Sequence, residues 1–174
     1  MLRLFVGITL PPALKLRLSL LASGVPGARW VDPGNYHLTL RFIGEIDEGM
    51  ASDVDAVLLH IQAKRFDLAL AGVGHFGDRM LWAGVEKSPP LVHLRDKVES
   101  ALVRLGLEPE TRRYAPHVTL ARLRNASGAK LQEFLAEHAL FRAEPFPVEK
   151  FSLVASYLTK AGAIYEDQAD YELA

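Results

Sequence analysis

The sequence predicts an α+β fold of two similar lobes with a cleft between them. Three observations carry this expectation. A tetrapeptide recurs: His37-Leu38-Thr39-Leu40 returns as His117-Val118-Thr119-Leu120, eighty positions later in a chain of 174 residues. Strand-like and helical stretches alternate around each copy, but without the strict βαβ rhythm or the phosphate-binding glycine fingerprint of a dinucleotide fold. No low-complexity linker divides the chain, so residues 1–174 are expected to form a single bilobal domain.

Each element has a local reason. Leu2 to Thr9 reads as a strand, and Pro11-Pro12 ends it and opens a helix to about Ser23, where proline's missing N–H is harmless in the first turn. Turn residues Asp32-Pro33-Gly34-Asn35 precede the first motif strand. Asp47 to about Lys64 reads as a helix because Val54, Val57, Leu58 and Ile61 repeat at helical spacing, with Asp47 or Ser52 as a cap. Phe66 to Val73 and Arg79 to Glu86 read as strands around the glycine-flanked turn Gly74 to Asp78. Pro89 or Pro90 opens a helix that runs to about Leu105, before Gly106. Ala115-Pro116 leads into the second motif strand, which is followed by a short helix from about Ser127 to His138. Phe146 to Lys160 and Ala163 to Leu173 close the chain as strands around Gly162.

Composition narrows the function. An apolar fraction of 49% supplies a proper core, and a net charge of −1 argues against a broad electrostatic grip on duplex nucleic acid. Any nucleic-acid contact is expected to be small and local. The absence of cysteine removes disulfides, thiolate nucleophiles and cysteine zinc sites. No secretory pattern or run of roughly 20 apolar residues is present, so a cytoplasmic, membrane-free protein is expected, and a monomer.

The motifs carry the chemistry. Successive side chains of a strand point to opposite faces, so His37 shares a face with Thr39 and His117 with Thr119. If the fold brings the copies together, two imidazoles flank one substrate, one removing a proton and the other supplying one, which opens a phosphodiester without metal. An unperturbed imidazole titrates near pH 6.5, so both roles are accessible around neutrality. The threonine hydroxyls suit nonbridging phosphate oxygens, where negative charge develops. Phe42 and Arg122 are candidate base or phosphate contacts, although period-two counting puts each on the face opposite its histidine unless the strand twists or bulges. Phe76 and Tyr114 are candidate rim residues, and His75 is read as surface. His60, His93 and His138 lie in or at helices with no metal-ligand spacing, so neither a metal nor another cofactor is expected.

The segments Trp30 to Glu45, Gly72 to Glu86, Arg112 to Leu123 and Ser156 to Glu166 resemble the bacterial and archaeal RNA 2′,3′-cyclic phosphodiesterases. These belong to the 2H phosphoesterases, once described as 2′-5′ RNA ligases, and the resemblance covers nearly the whole chain. It implies two pseudo-symmetric lobes, antiparallel sheets lining a central cleft, helices outside and both histidines in the cleft. It also implies opening of a terminal RNA 2′,3′-cyclic phosphate to a 2′-phosphomonoester, with His117 activating water, His37 protonating the departing 3′ oxygen, and weak reverse ligation open to the same pair. RNA ends or nucleotides bearing that cyclic phosphate are the expected partners. Small cyclic nucleotides, ADP-ribose cyclic phosphate, or binding without turnover are the alternatives.

Overall fold

A computed structural model describes all 174 residues. Strand β1 (Leu2–Thr9) is followed by helix α1 (Pro12–Ser19), β2 (Ala28–Trp30), a 3-10 turn (Pro33–Asn35) and β3 (His37–Ile46). Next come α2 (Glu48–Leu59), β4 (Phe66–Leu68), β5 (Leu70–Phe76), β6 (Met80–Val85) and α3 (Pro89–Leu105). Then β7 (His117–Leu123), α4 (Gly128–Glu137), β8 (Phe146–Val148), β9 (Lys150–Thr159) and β10 (Gly162–Glu172) complete the chain. The helix starts follow local chemistry. Asp47 accepts from the Met50 N–H at 2.7 Å, Ser88 from Leu91 and Ser127 from Lys130, while prolines occupy the first turns of α1 and α3. Gly106 ends α3 at φ 118°, a left-handed conformation natural to glycine.

Two four-stranded antiparallel sheets form, in the orders β10-β9-β1-β3 and β2-β7-β6-β5, and β4 pairs with β8 in a small third sheet. Helices α2 and α3 pack on each other and against the first sheet, through β10 and β3. On the second sheet's side, Phe134 of α4 meets Trp30 of β2, and Arg17 of α1 lies over Phe141, whose carbonyl accepts from Gly72. One apolar core of 34 buried residues joins members of both sheets. The fold is therefore α+β with two four-stranded sheets, a small third sheet and outer helices, and β3 and β7 contact each other.

The expected elements are present, with several differences. Strand Phe66 to Val73 is two strands, because Ala69 is where the chain leaves the small sheet and enters the second; Phe146 to Lys160 divides likewise at Glu149. Helices α1 and α2 end at Ser19 and Leu59, short of the expected Ser23 and Lys64. The three-residue strand β2 is too short for a periodicity to reveal. No helix is long and apolar enough to cross a membrane.

Candidate active site

Both motif strands begin on their histidine, β3 at His37 and β7 at His117. In each, the backbone carbonyl two residues upstream takes the ring proton. The Nδ1–H of His37 donates to Asn35 O at 2.8 Å and that of His117 to Ala115 O at 2.7 Å. A carbonyl only accepts, so each Nδ1 carries hydrogen and each neutral ring leaves Nε2 as its base. Thr39 Oγ1 lies 2.8 Å from His37 Nε2. Thr119 Oγ1 donates only to the weak acceptor Met80 Sδ at 3.4 Å, so its hydroxyl is free to turn to a better one.

The next residues resolve a conflict in strand parity. Along β3 the register runs from Gly7↔Thr39 to Val6↔Arg41, leaving Leu40 unpaired; along β7 it runs from Trp82↔Thr119 to Leu81↔Ala121, leaving Leu120 unpaired. The fourth residue of each motif is thus a β-bulge, and it reverses the inside–outside alternation. Leu40 and Arg41 are both buried, as are Leu120 and Ala121. Phe42 then stands opposite Phe5, and Arg122 opposite Met80, each on its histidine's face.

Aromatic walls fix the imidazoles. Phe5 stacks on His37 with centroids 4.5 Å apart, and Tyr165 of β10 meets the same ring edge-on at 5.0 Å. Phe76 meets His117 edge-on at 4.9 Å, with Trp82 at 6.3 Å. Glycines make room for these rings: Phe5 lies over Gly7, and Trp82 fills the space above Gly74 and beside Gly84. Phe5-Val6-Gly7 and Trp82-Ala83-Gly84 form a second, weaker repeat, offset by two residues relative to the motif strands.

Burial is the main cause that lowers the His37 pKa below its ordinary value; the Asn35 hydrogen bond opposes it, and the charges of His117 and Lys15 add to it. The strands that carry the two rings, β3 and β7, contact each other. Lys15 is half-buried, reaches the Gly34 carbonyl at 3.3 Å and has no carboxylate partner. Burial likewise raises the Tyr165 phenol, against the nearby charges of Arg122 and Arg3.

Strand register puts Thr39 and Phe42 on the face of β3 that carries His37, and Thr119 and Arg122 on the face of β7 that carries His117, with Phe76 against the His117 ring. Phe42 is 43% exposed with Arg3 over its ring, and Phe76 is 40% exposed. Tyr114 is placed differently: its ring is half-buried under Arg95 and its hydroxyl donates to the Thr39 carbonyl at 3.0 Å. His75 bonds the Gly77 carbonyl in an exposed turn, and His60 and His138 terminate α2 and α4. Sequence reasoning missed Phe5, Trp82, Tyr165, Lys15 and the amide of Asn35, which donates to Ala163 O at 2.7 Å. Only Phe5-Val6-Gly7 and Trp82-Ala83-Gly84 carried a signal for any of these, and the same aromatic-x-glycine pattern also occurs at Phe42-Ile43-Gly44. No group of three or more His, Cys, Asp or Glu side chains is arranged to hold a metal. A surface concavity of about 630 Å³ between α2 and α3 contains none of the motif residues.

Comparison with known proteins identifies the family and the fold. The model of the 2′-5′ RNA ligase superfamily matches residues 24–159. An Aeropyrum pernix protein named RNA 2′,3′-cyclic phosphodiesterase is 37% identical over 158 residues, covering 87% of this chain and 89% of its own. An Aquifex aeolicus protein of the same name is 34% identical over 145 residues, 79% of this chain and 77% of its own. The crystal structure of E. coli LigT complexed with 3′-AMP superposes with a TM-score of 0.83 at 27% identity, covering 99% of this chain and 98% of that one. The match of the family model over most of the sequence, together with a shared fold across nearly its whole length, makes this chain a member of the 2′-5′ RNA ligase superfamily.

Proposed function

We propose that the protein hydrolyses terminal RNA 2′,3′-cyclic phosphates to 2′-phosphomonoesters by paired-histidine general acid–base catalysis. One observation carries this reading: on two strands that contact each other, two imidazoles each have Nδ1 bound to a backbone carbonyl, which leaves Nε2 as the basic nitrogen, and each has a threonine on the same strand face. The names of the Aeropyrum and Aquifex relatives support the substrate, and the LigT complex with 3′-AMP supports an occupant of nucleotide size.

In the proposed step His117 Nε2 takes a proton from water, whose oxygen forms the new bond to phosphorus. The bond from phosphorus to the 3′ oxygen breaks, its electron pair leaves with that oxygen, and protonated His37 supplies the proton. Thr39 and Thr119 donate to the nonbridging oxygens, and Arg122 faces the dianionic product. Phe42 and Phe76 offer ring faces to the terminal base, where stacking contributes roughly 1–3 kcal/mol without reading base identity. Burial favours the neutral form of the His37 ring in the empty site. An anionic cyclic phosphate between the rings favours the imidazolium and opposes that preference, so the acid is loaded as substrate enters. Run backwards, the same proton transfers join a 2′-phosphate end to a hydroxyl, which is weak 2′-5′ ligation.

Phosphorus NMR of the products from a cyclic-phosphate-ended oligoribonucleotide tests the proposal, run with and without a chelator and beside small cyclic nucleotides. A 2′-phosphate made equally well with chelator present is expected. A dominant 3′-phosphate would overturn the orientation and the His37 role, and tight binding without hydrolysis would overturn the catalysis.

A further inference from the structure

The chain passes from α3 to β7 through residues 106–116, and this segment is tied to β3 at several points. Arg41 of β3 is only 7% exposed; its guanidinium pairs with Glu99 of α3 and donates to the carbonyls of Phe42 and Glu108. Glu99 also pairs with Arg95, one helical turn earlier, and Arg95 lies over the Tyr114 ring at 5.3 Å. The Tyr114 hydroxyl closes the circuit by donating to the Thr39 carbonyl at 3.0 Å. The ring of contacts therefore begins and ends on the first motif strand. Its last member stands three residues before the second motif histidine.

What lies between Tyr114 and His117 is short and stiff. Ala115 supplies the carbonyl that orients the His117 ring at 2.7 Å, and Pro116 has a fixed φ. A shift of Tyr114 relative to β3 passes directly to the carbonyl that aims His117. We propose that Tyr114 is a positioning residue, pinning the lead-in of the second motif to the backbone of the first and so setting the separation and aim of the two imidazoles. The inference rests on the paired-histidine reading for its effect on turnover, but not for its effect on the empty site.

The hydroxyl has no competing task, since burial pushes the Tyr114 phenol above its ordinary range and keeps it a donor. An error of about 1 Å between reacting groups can cost on the order of 10²-fold in rate. A loosened pin therefore shows mainly in kcat, whereas a lost substrate contact shows mainly in KM.

The test compares Tyr114→Phe with Tyr171→Phe. Tyr171 loses the same kind of buried phenol hydrogen bond, to Asp55 at 2.7 Å, at the opposite end of β10 from Tyr165. With a 2′,3′-cyclic nucleotide as substrate, Tyr114→Phe is expected to lower kcat about 10-fold or more with KM within about 2-fold, and Tyr171→Phe to change neither. In the empty proteins, NMR titration of His37 is expected to move upward in Tyr114→Phe alone, as the charge of His117 recedes. A wild-type protein without turnover would sink the catalytic reading and leave this second readout standing. Identical behaviour of the two variants, or a rise confined to KM, would overturn the pin. Should Tyr114→Phe not fold, the wild-type Tyr114 hydroxyl proton decides: slow exchange with water is expected, and free exchange overturns the proposal.

Discussion

Gly74 is where the aromatic wall beside His117 is most sensitive to a single methyl group. A Cβ built there falls under 3.0 Å from three atoms of the Trp82 ring, and no positive φ adds strain of its own. The indole also abuts the Phe76 ring, with centroids 5.4 Å apart, which restricts its retreat on that side. Overpacking of this kind costs typically 1–3 kcal/mol. Gly74→Ala is therefore expected to lower the folded-to-unfolded ratio about 5- to 150-fold, a loss of roughly 1 M in the urea midpoint at a slope near 2 kcal/mol per M. Because Trp82 also flanks His117, kcat should fall about 10- to 100-fold. The decisive comparison is a double-mutant cycle by urea unfolding. In a Trp82→Leu background the same Gly74→Ala change should cost less than about 0.5 kcal/mol, leaving a coupling of about 1–3 kcal/mol. A Gly74→Ala variant as stable as wild type, or an equal loss in both backgrounds, would refute the steric argument.

Other expectations follow from the same geometry. His37 should titrate below 6.5 in the empty protein by NMR, and a bound phosphate should raise it; a midpoint at or above 6.5 in the empty site contradicts the burial argument. With the folded value depressed, the unfolded chain binds more protons, so this contribution to stability is complete above about pH 6.5 and is lost as pH falls through the folded value, a slope readable in urea midpoints and flattened in His37→Gln. Thr39→Val and Thr119→Val should each lower kcat about 10²–10³-fold in steady-state assays with little change in stability, as for a lost donor to developing charge. Arg41→Met should destabilise the fold by about 3 kcal/mol in the same urea assay, because Glu99 loses its buried partner and keeps only the half-buried Arg95, and two carbonyls lose a donor.

The candidate site was legible in the sequence as far as period-two alternation reaches. His37 with Thr39 and His117 with Thr119 needed only that rule, and the strand assignment that supports it came from turn residues and apolar runs. Phe42 and Arg122 lay beyond it because the bulged residues, Leu40 and Leu120, are ordinary strand leucines; a bulge of this kind is a property of register against β1 and β6, not of local composition. The strands on either side of Ala69 and Glu149 read as continuous because local composition does not record which partner strand each half pairs with. Tyr165 and Lys15 reach His37 from elements more than twenty residues away in sequence or on the far side of the chain, and only the packing joins them. Tyr114 looked like a rim residue because its position before the motif was visible, whereas the Thr39 carbonyl that receives its hydroxyl was not.

The central claim is that two histidines on two copies of one motif act together on one cyclic phosphate. Turnover of a 2′,3′-cyclic-phosphate-ended oligoribonucleotide by His37→Ala, His117→Ala and the double variant, all shown folded by urea unfolding, tests it most directly. Each single variant is expected to lose about 10²–10⁴-fold, and the double variant far less than the product of the two losses, because the pair works as a unit. Near-native turnover in either single variant would contradict the account.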